Sequence, residues 1–168
     1  MHIRISGVVS ESIVDGPGLR YVIFTQGCPH NCPGCHNPQT HDFDGGRAVD
    51  TDELFEECVE DPLHTGVTFS GGEPFCQAES LYVLGKKFKE RGYHLMCYSG
   101  WTYKELLHKA KTEEYVGKLL GILDILVDGR FIQERKTLSL PFRGSDNQRL
   151  IDVQASLAED MVIEANIN

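Results

Sequence analysis

The residues in this chain most able to do chemistry are three cysteines within eight positions, Cys28, Cys32 and Cys35, in the stretch Gly27-Cys-Pro-His-Asn-Cys-Pro-Gly-Cys-His-Asn37. Thiolates at such spacing point to a metal centre. Four thiolates normally close a structural zinc site or an iron–sulfur cubane, and no second CxxC-type pair follows to complete this set. One reading is a metal corner left open for something that reacts. The other is that His30 or His36 supplies the fourth ligand of a Cys3His zinc module without catalysis, which the spacing permits. Pro29, Pro33 and Gly34 favour a tight, non-helical loop that turns the sulfurs inward in either case.

Composition narrows the class of molecule. At 168 residues the chain reads as one domain spanning 1–168, long enough to bury roughly 70% of its unfolded surface. Its 40% hydrophobic and 24% charged content is that of a soluble globular protein, and no apolar run approaches a membrane span. Met-His-Ile-Arg-Ile-Ser-Gly7 carries no signal-peptide apolar region, so the expectation is a cytoplasmic protein whose six cysteines are thiols and metal ligands rather than disulfides. A formal charge of −9 with scattered Lys and Arg would repel a nucleic-acid backbone.

The elements that must position the cysteines follow from hydrophobic pattern. Leu19–Thr25 is a β-branched and aromatic run that delivers the chain directly into the cysteine loop. A helix is predicted over Thr51–Glu60, with Asp50 as N-cap and Glu53 completing a capping box. Gly66–Ser70 is a second strand, ending in Gly71-Gly72-Glu73-Pro74. Ala78–Arg91 reads as a helix with Leu81, Leu84 and Phe88 on one stripe. Tyr93–Tyr98 is a strand, and a helix capped by Thr102 and Glu105 follows. Leu123–Val127 and Leu150–Val153 complete the strands. Alternating strands and helices imply an α/β fold with a parallel sheet whose C-terminal edge gathers the polar, glycine-rich motifs. The length is too short for an eight-unit barrel and suits an open partial (β/α) barrel of about five to six parallel strands.

Each remaining motif has a plain structural role as well. Gly71-Gly72-Glu73-Pro74 is a strand-to-helix turn, or a loop offering backbone carbonyls and a carboxylate to a ligand ammonium. Asp15-Gly16-Pro17-Gly18 is an ordinary turn by composition. Gly144–Arg149 reads as a solvated connection, Asp128 as a strand cap and Arg130 as a surface charge. Cys58, Cys76 and Cys97 are expected to be core or near-core thiols. His94, Tyr98 and Trp101 are expected to pack.

The order Asp15-Gly-Pro-Gly18, a CxxxCxxC loop at Cys28–Cys35, then Gly-Gly-Glu-Pro after the next strand resembles the radical S-adenosylmethionine superfamily, specifically its glycyl-radical-enzyme activases. Cys-Pro-Gly-Cys-His-Asn at 32–37, Tyr98-Ser-Gly-Trp101, Val127-Asp-Gly-Arg-Phe131 and Gly144-Ser-Asp-Asn-Gln-Arg149 extend the likeness over nearly the whole chain, most of all to anaerobic ribonucleoside-triphosphate reductase activating proteins. One position departs: the superfamily usually has an aromatic residue just before the third cysteine, and here it is Gly34, with His36 following the cysteine instead.

The resemblance implies a [4Fe–4S] cluster held by Cys28, Cys32 and Cys35 and a bound S-adenosyl-L-methionine. By the same likeness Gly71, Gly72 and Glu73 would hold the methionine amino group, and Ser99 and Asp128 would lie near its carboxylate or the ribose. His36, Asn37 and Asn147 would complete the cofactor side, with loop 144–149 against the nucleoside. Asp15, Gly16, Pro17 and Gly18 would help receive a glycine-bearing loop of the partner, an anaerobic ribonucleotide reductase. Electrons would come from a flavodoxin- or ferredoxin-like donor. A radical enzyme acting on a free metabolite, such as a 7-carboxy-7-deazaguanine synthase, is the alternative enzyme reading.

Overall fold

The computed structural model describes residues 1–167. In chain order the elements are β1 (His2–Ser12), β2 (Arg20–Thr25), β3 (Arg47–Asp50), α1 (Thr51–Glu60), β4 (Gly66–Gly71), α2 (Ala78–Glu90), β5 (His94–Tyr98), α3 (Tyr103–Ala110), α4 (Glu114–Ile122), β6 (Ile125–Asp128), β7 (Arg149–Asp152) and α5 (Val153–Glu159). They build one seven-stranded sheet in the order β3-β1-β2-β4-β5-β6-β7, which does not close on itself.

Only the central strands are parallel. β2, β4, β5 and β6 pair in parallel, whereas β1 pairs antiparallel with both β2 and β3, and β7 runs antiparallel to β6. The expected five to six parallel strands are therefore four, flanked by antiparallel edges. The reason for β7 lies in residues 129–148, which carry no α-helix to make a crossover. A chain that returns without a crossover comes back antiparallel.

Alternation along each central strand sets two faces. Tyr21, Ile23, Val67, Phe69, Leu95, Cys97, Leu126 and Ile151 point into one core with Leu54 of α1, Leu81, Leu84 and Phe88 of α2, Leu106 of α3, Leu119 of α4 and Val153 of α5. All five helices thus cover the same face. The intervening residues Met96, Ile125, Val127 and Leu150 form a second, small cluster on the other face, joined by Tyr98 and Phe142.

Local capping follows the sequence with one difference. Thr102 and Glu105 form the expected capping box at α3. Asp50 does cap α1, but by accepting from the Asp52 N–H at 2.8 Å, while Glu53 stays exposed. The Asp50 carboxylate is thus engaged two residues on, at Asp52, and the reciprocal bond from Glu53 that would make a capping box is missing.

Candidate metal centre

The loop after β2 is shaped by backbone bonds before any side chain acts. Gly27 N–H donates to Thr40 O at 2.7 Å and Cys28 N–H to His41 O at 3.2 Å, closing the base of the loop. Cys35 N–H donates to Cys32 O at 3.1 Å, folding the last two cysteines into one turn. Within it Gly34 sits at φ 74° and a Cβ there would come to 2.8 Å from the Gln133 side chain. A left-handed backbone and that close neighbour explain why this position carries no aromatic ring.

Two further backbone bonds dock the loop onto the next strand. Gly72 N–H donates to Thr25 O and Glu73 N–H to Gly27 O, both at 2.8 Å, so the Gly71–Glu73 turn runs beside the start of the cysteine loop. Above it, Ser99 N–H donates to Val127 O at 2.9 Å, holding the end of β5 against β6. These turns all lie at the C-terminal edge of the parallel strands, where open α/β sheets place their ligands.

Together they wall a cavity of about 530 Å³ on the face without helices, a volume within the range of small-molecule sites. Cys28, Cys32 and Cys35 line it, as do Gly71, Gly72 and Ser99. His36, Asn37 and Asp15 also reach its wall. Each cysteine is half-buried and free. Burial pushes the Cys28 and Cys32 thiols above the ordinary thiol range, with backbone N–H groups partly offsetting it. As free thiols they are therefore protonated at neutral pH, and iron or zinc must displace those protons. The Asn37 N–H lies 3.4 Å from Cys35 Sγ, a donor of the kind that tunes ligating sulfurs.

The donor set fits an iron–sulfur cluster: Cys28, Cys32 and Cys35 line one cavity wall as three free thiols, the ligand chemistry of such clusters. His30, one of the histidines that could complete a Cys3His zinc site, is committed elsewhere: its Nε2 donates to Glu73 Oε1 at 2.7 Å.

Some expected site residues are not on the cavity. Glu73 is fully buried behind its turn, where its carboxylate accepts from His30, Ser99 Oγ, Gly100 N–H and Phe75 N–H. Asp128 is also buried, and both its oxygens are taken by Arg149, at 3.1 and 2.6 Å, and by the Tyr103 N–H at 2.8 Å. It caps α3 and anchors β7 while bordering a neighbouring hollow with Asn147. Asn147 donates to Arg130 O at 2.9 Å, and its buried Oδ1 has no partner. Gly16, Pro17 and Gly18 sit at the opposite end of the strands, where the buried Arg20 donates to Pro17 O at 2.8 Å. Only Asp15 of that turn faces the cavity, its carboxylate accepting from Ser12 Oγ at 2.6 Å.

Further residues line the cavity that sequence pattern alone does not mark as site residues. Tyr98 lines the wall and donates to Phe142 O at 2.8 Å, so it does more than pack. Arg130, Phe131 and Arg143 join it there, with the His36 and Phe131 rings 4.8 Å apart. Arg130 and Phe131 could have been found from their place at a strand's C-terminal end. Arg143 sits before a glycine in a polar loop and carried no such signal. Cys58 and Cys97 are buried as expected, but Cys76 is exposed. Loop 144–149 packs onto residues 129–131, Gln148 donating to Gly129 O at 3.0 Å while its Oε1 accepts from the Gly144 and Ser145 N–H groups.

Comparison with known proteins adds an independent line. Residues 14–151 match the model of the 4Fe-4S single cluster domain family. The anaerobic ribonucleoside-triphosphate reductase-activating protein of Vibrio cholerae is 34% identical over 145 residues, covering 81% of this chain and 89% of the relative. Its Escherichia coli namesake is 31% identical over the same length, with 81% and 90% covered. The pyruvate formate-lyase-activating enzyme of Clostridium pasteurianum is 40% identical over 113 residues, 62% of this chain but only 48% of that enzyme. Local identity is higher in that third case, whereas agreement along the whole length favours the first two.

Proposed function

Since the chain belongs to the 4Fe-4S single-cluster family and, within it, to the radical S-adenosylmethionine activases of glycyl-radical enzymes, we propose that it installs a glycyl radical on an anaerobic ribonucleoside-triphosphate reductase. When bound, a [4Fe–4S] cluster and S-adenosylmethionine supply reductive cleavage of the sulfonium to methionine and a 5′-deoxyadenosyl radical. The observation that carries the reading is that Cys28, Cys32 and Cys35 share one cavity wall with Gly71, Gly72 and Ser99.

The chain's own residues then bind, orient and exclude water. Cys28, Cys32 and Cys35 would hold the cluster as thiolates. The Gly71–Gly72 backbone, on the same cavity wall, would accept from the methionine ammonium. Arg130 and Arg143, which reach the cavity wall, offset the methionine carboxylate, while Asp128 acts from behind the site by holding Arg149 and the start of α3. Ser99, His36, Asn37 and loop 144–149 close around the nucleoside, and Asn147 supports that loop from outside. Asp15 faces the cavity toward the partner's glycine loop, and the turn through Gly18 supports it from the other end of the strands. No side chain needs to act as a general base, because the cofactor carries the chemistry.

We read residues 1–168 as one radical-SAM domain, its sheet forming an open partial barrel. A flavodoxin- or ferredoxin-like protein supplies the electron in the cytoplasm. No described helix is long and apolar enough to cross a membrane, and a charge of −9 disfavours nucleic acid as a partner.

Anaerobic reconstitution is expected to yield about four irons per chain, and dithionite with S-adenosylmethionine to yield 5′-deoxyadenosine. Adding the reductase should give a glycyl doublet in electron paramagnetic resonance. An intact cluster that cleaves the cofactor but never produces the doublet would move the reading to a free-metabolite enzyme.

A further inference from the structure

One side chain between the first two cysteines is held far more tightly than its loop. His30 has a side chain 4% exposed, although Pro29, Asn31 and Pro33 around it are exposed. Its Nε2 donates to Glu73 Oε1 at 2.7 Å, and the same oxygen accepts from Ser99 Oγ at 2.9 Å and Gly100 N–H at 2.8 Å. Its ring meets Trp101 edge-on, centroids 4.7 Å apart at 77°. On the other side it lies against Gly100, where a Cβ would come within 2.4 Å of His30 Cδ2. The glycine leaves room for the imidazole.

A buried carboxylate is stable only when its acceptor sites are filled, and Glu73 draws its donors from three separate elements. Phe75 N–H belongs to its own turn, Ser99 and Gly100 to the end of β5, and His30 to the cysteine loop. The carboxylate therefore ties the three walls of the cavity to one point. Because His30 lies between Cys28 and Cys32, the tie fixes the segment that carries two of the three thiols.

We propose that His30 is a positioning residue: through Glu73 it holds the Cys28–Cys32 segment in register with the Gly71–Gly72 turn and Ser99, so that cluster and S-adenosylmethionine meet in one geometry. The proposal rests on the activase reading. It assigns Glu73 a role behind the site, with the ammonium left to backbone carbonyls.

The test compares reconstituted wild type with His30→Ala, His30→Gln and Gly100→Ala, following iron content, melting temperature and the electron paramagnetic resonance change of the reduced cluster as S-adenosylmethionine is titrated. His30→Ala should retain its iron and fold while the cofactor needed for half-maximal spectral change rises ~10-fold or more, the scale of support-shell losses at metal sites. Gln can place an amide N–H near the lost Nε2, so His30→Gln should recover most of that affinity. Gly100→Ala should behave like His30→Ala by displacing the ring from the opposite side. A His30→Ala titration matching wild type overturns the proposal, as does loss of iron in both His30 variants, which would make His30 a requirement for the cluster itself. A wild type with an intact cluster and no spectral response to the cofactor would instead refute the activase reading.

Discussion

The two faces of the sheet are built from the same strands and do opposite work. On one, every second residue is apolar and five helices bury it. On the other, Arg20, Val22 and Phe24 of β2 lie beside Thr68 and Ser70 of β4, so polar and apolar side chains mix, and the space above holds the thiol-lined cavity. A buried Arg20 there needs several partners: it donates to Thr68 Oγ1 at 2.8 Å, Pro17 O, Val67 O and His94 O. Stability therefore resides on the helix face and chemistry on the open face, with little shared between them.

The largest expected contrast comes from replacing Cys28, Cys32 and Cys35 together by Ala. Iron should fall from about four per chain to near zero and cofactor cleavage should vanish, while circular dichroism stays native. Unfolding of the triple variant would mean that the open face carries stability after all. Next is Phe69→Ala on the helix face, fully buried among α2 residues, which should cost about 3–5 kcal/mol in chemical denaturation. A loss below about 1 kcal/mol would show that the helix layer is not the stabilising side.

Much of the helix face was legible because its periodicities are strong and its caps are spelled out, as at Thr102 and Glu105. Other elements were not. β1 carries Gly7 and register shifts against β2, which blur its alternation. β3 has four residues, too few for a pattern. α4 contains Gly117 and Gly121, which lower intrinsic helix propensity although Val116, Leu119 and Leu120 bury it. On the open face the cysteine spacing was readable. Whether Glu73 and Asp128 face a ligand or a buried donor was not, since their partners His30 and Arg149 lie 43 and 21 positions away. Both carboxylates are buried, with their acceptor sites filled by these donors.

Tyr98→Phe tests how firmly the open face holds residues 136–145. It removes the bond to Phe142 O and should cost about 1 kcal/mol, with cofactor affinity weakened more than helix-face packing. Equal hydrogen-exchange protection of residues 136–145 in both proteins would contradict this. The smallest effect concerns pH. Burial and the neighbouring Arg20 guanidinium hold the His94 imidazole below its usual value, against an opposing pull from Asp124 and a reinforcing one from Lys89. Unfolded His94 then protonates first, so this contribution is intact above about pH 6.5 and is lost as pH falls below it. Between pH 8 and 5 the wild type should lose more stability than His94→Gln. Parallel curves would place the acid sensitivity elsewhere.

The stretch from Gly129 to Gln148, which carries no α-helix, has a consequence for substrate size. It contributes nothing to the strand order, yet it supplies Arg130, Phe131, Phe142, Arg143 and Gly144 to the rim of the cavity. Shortening the part of it beyond Gln133 would widen the doorway and lengthening it would roof it, whereas Phe131 and Gln133 stay tied to the cysteine turn, the one by its backbone N–H beside the Cys32 thiol and the other by packing against Gly34. The bulk of what can approach is thereby set by residues 134–144, while the metal-binding turn stays under the stricter demands of Gly34 and Gly100.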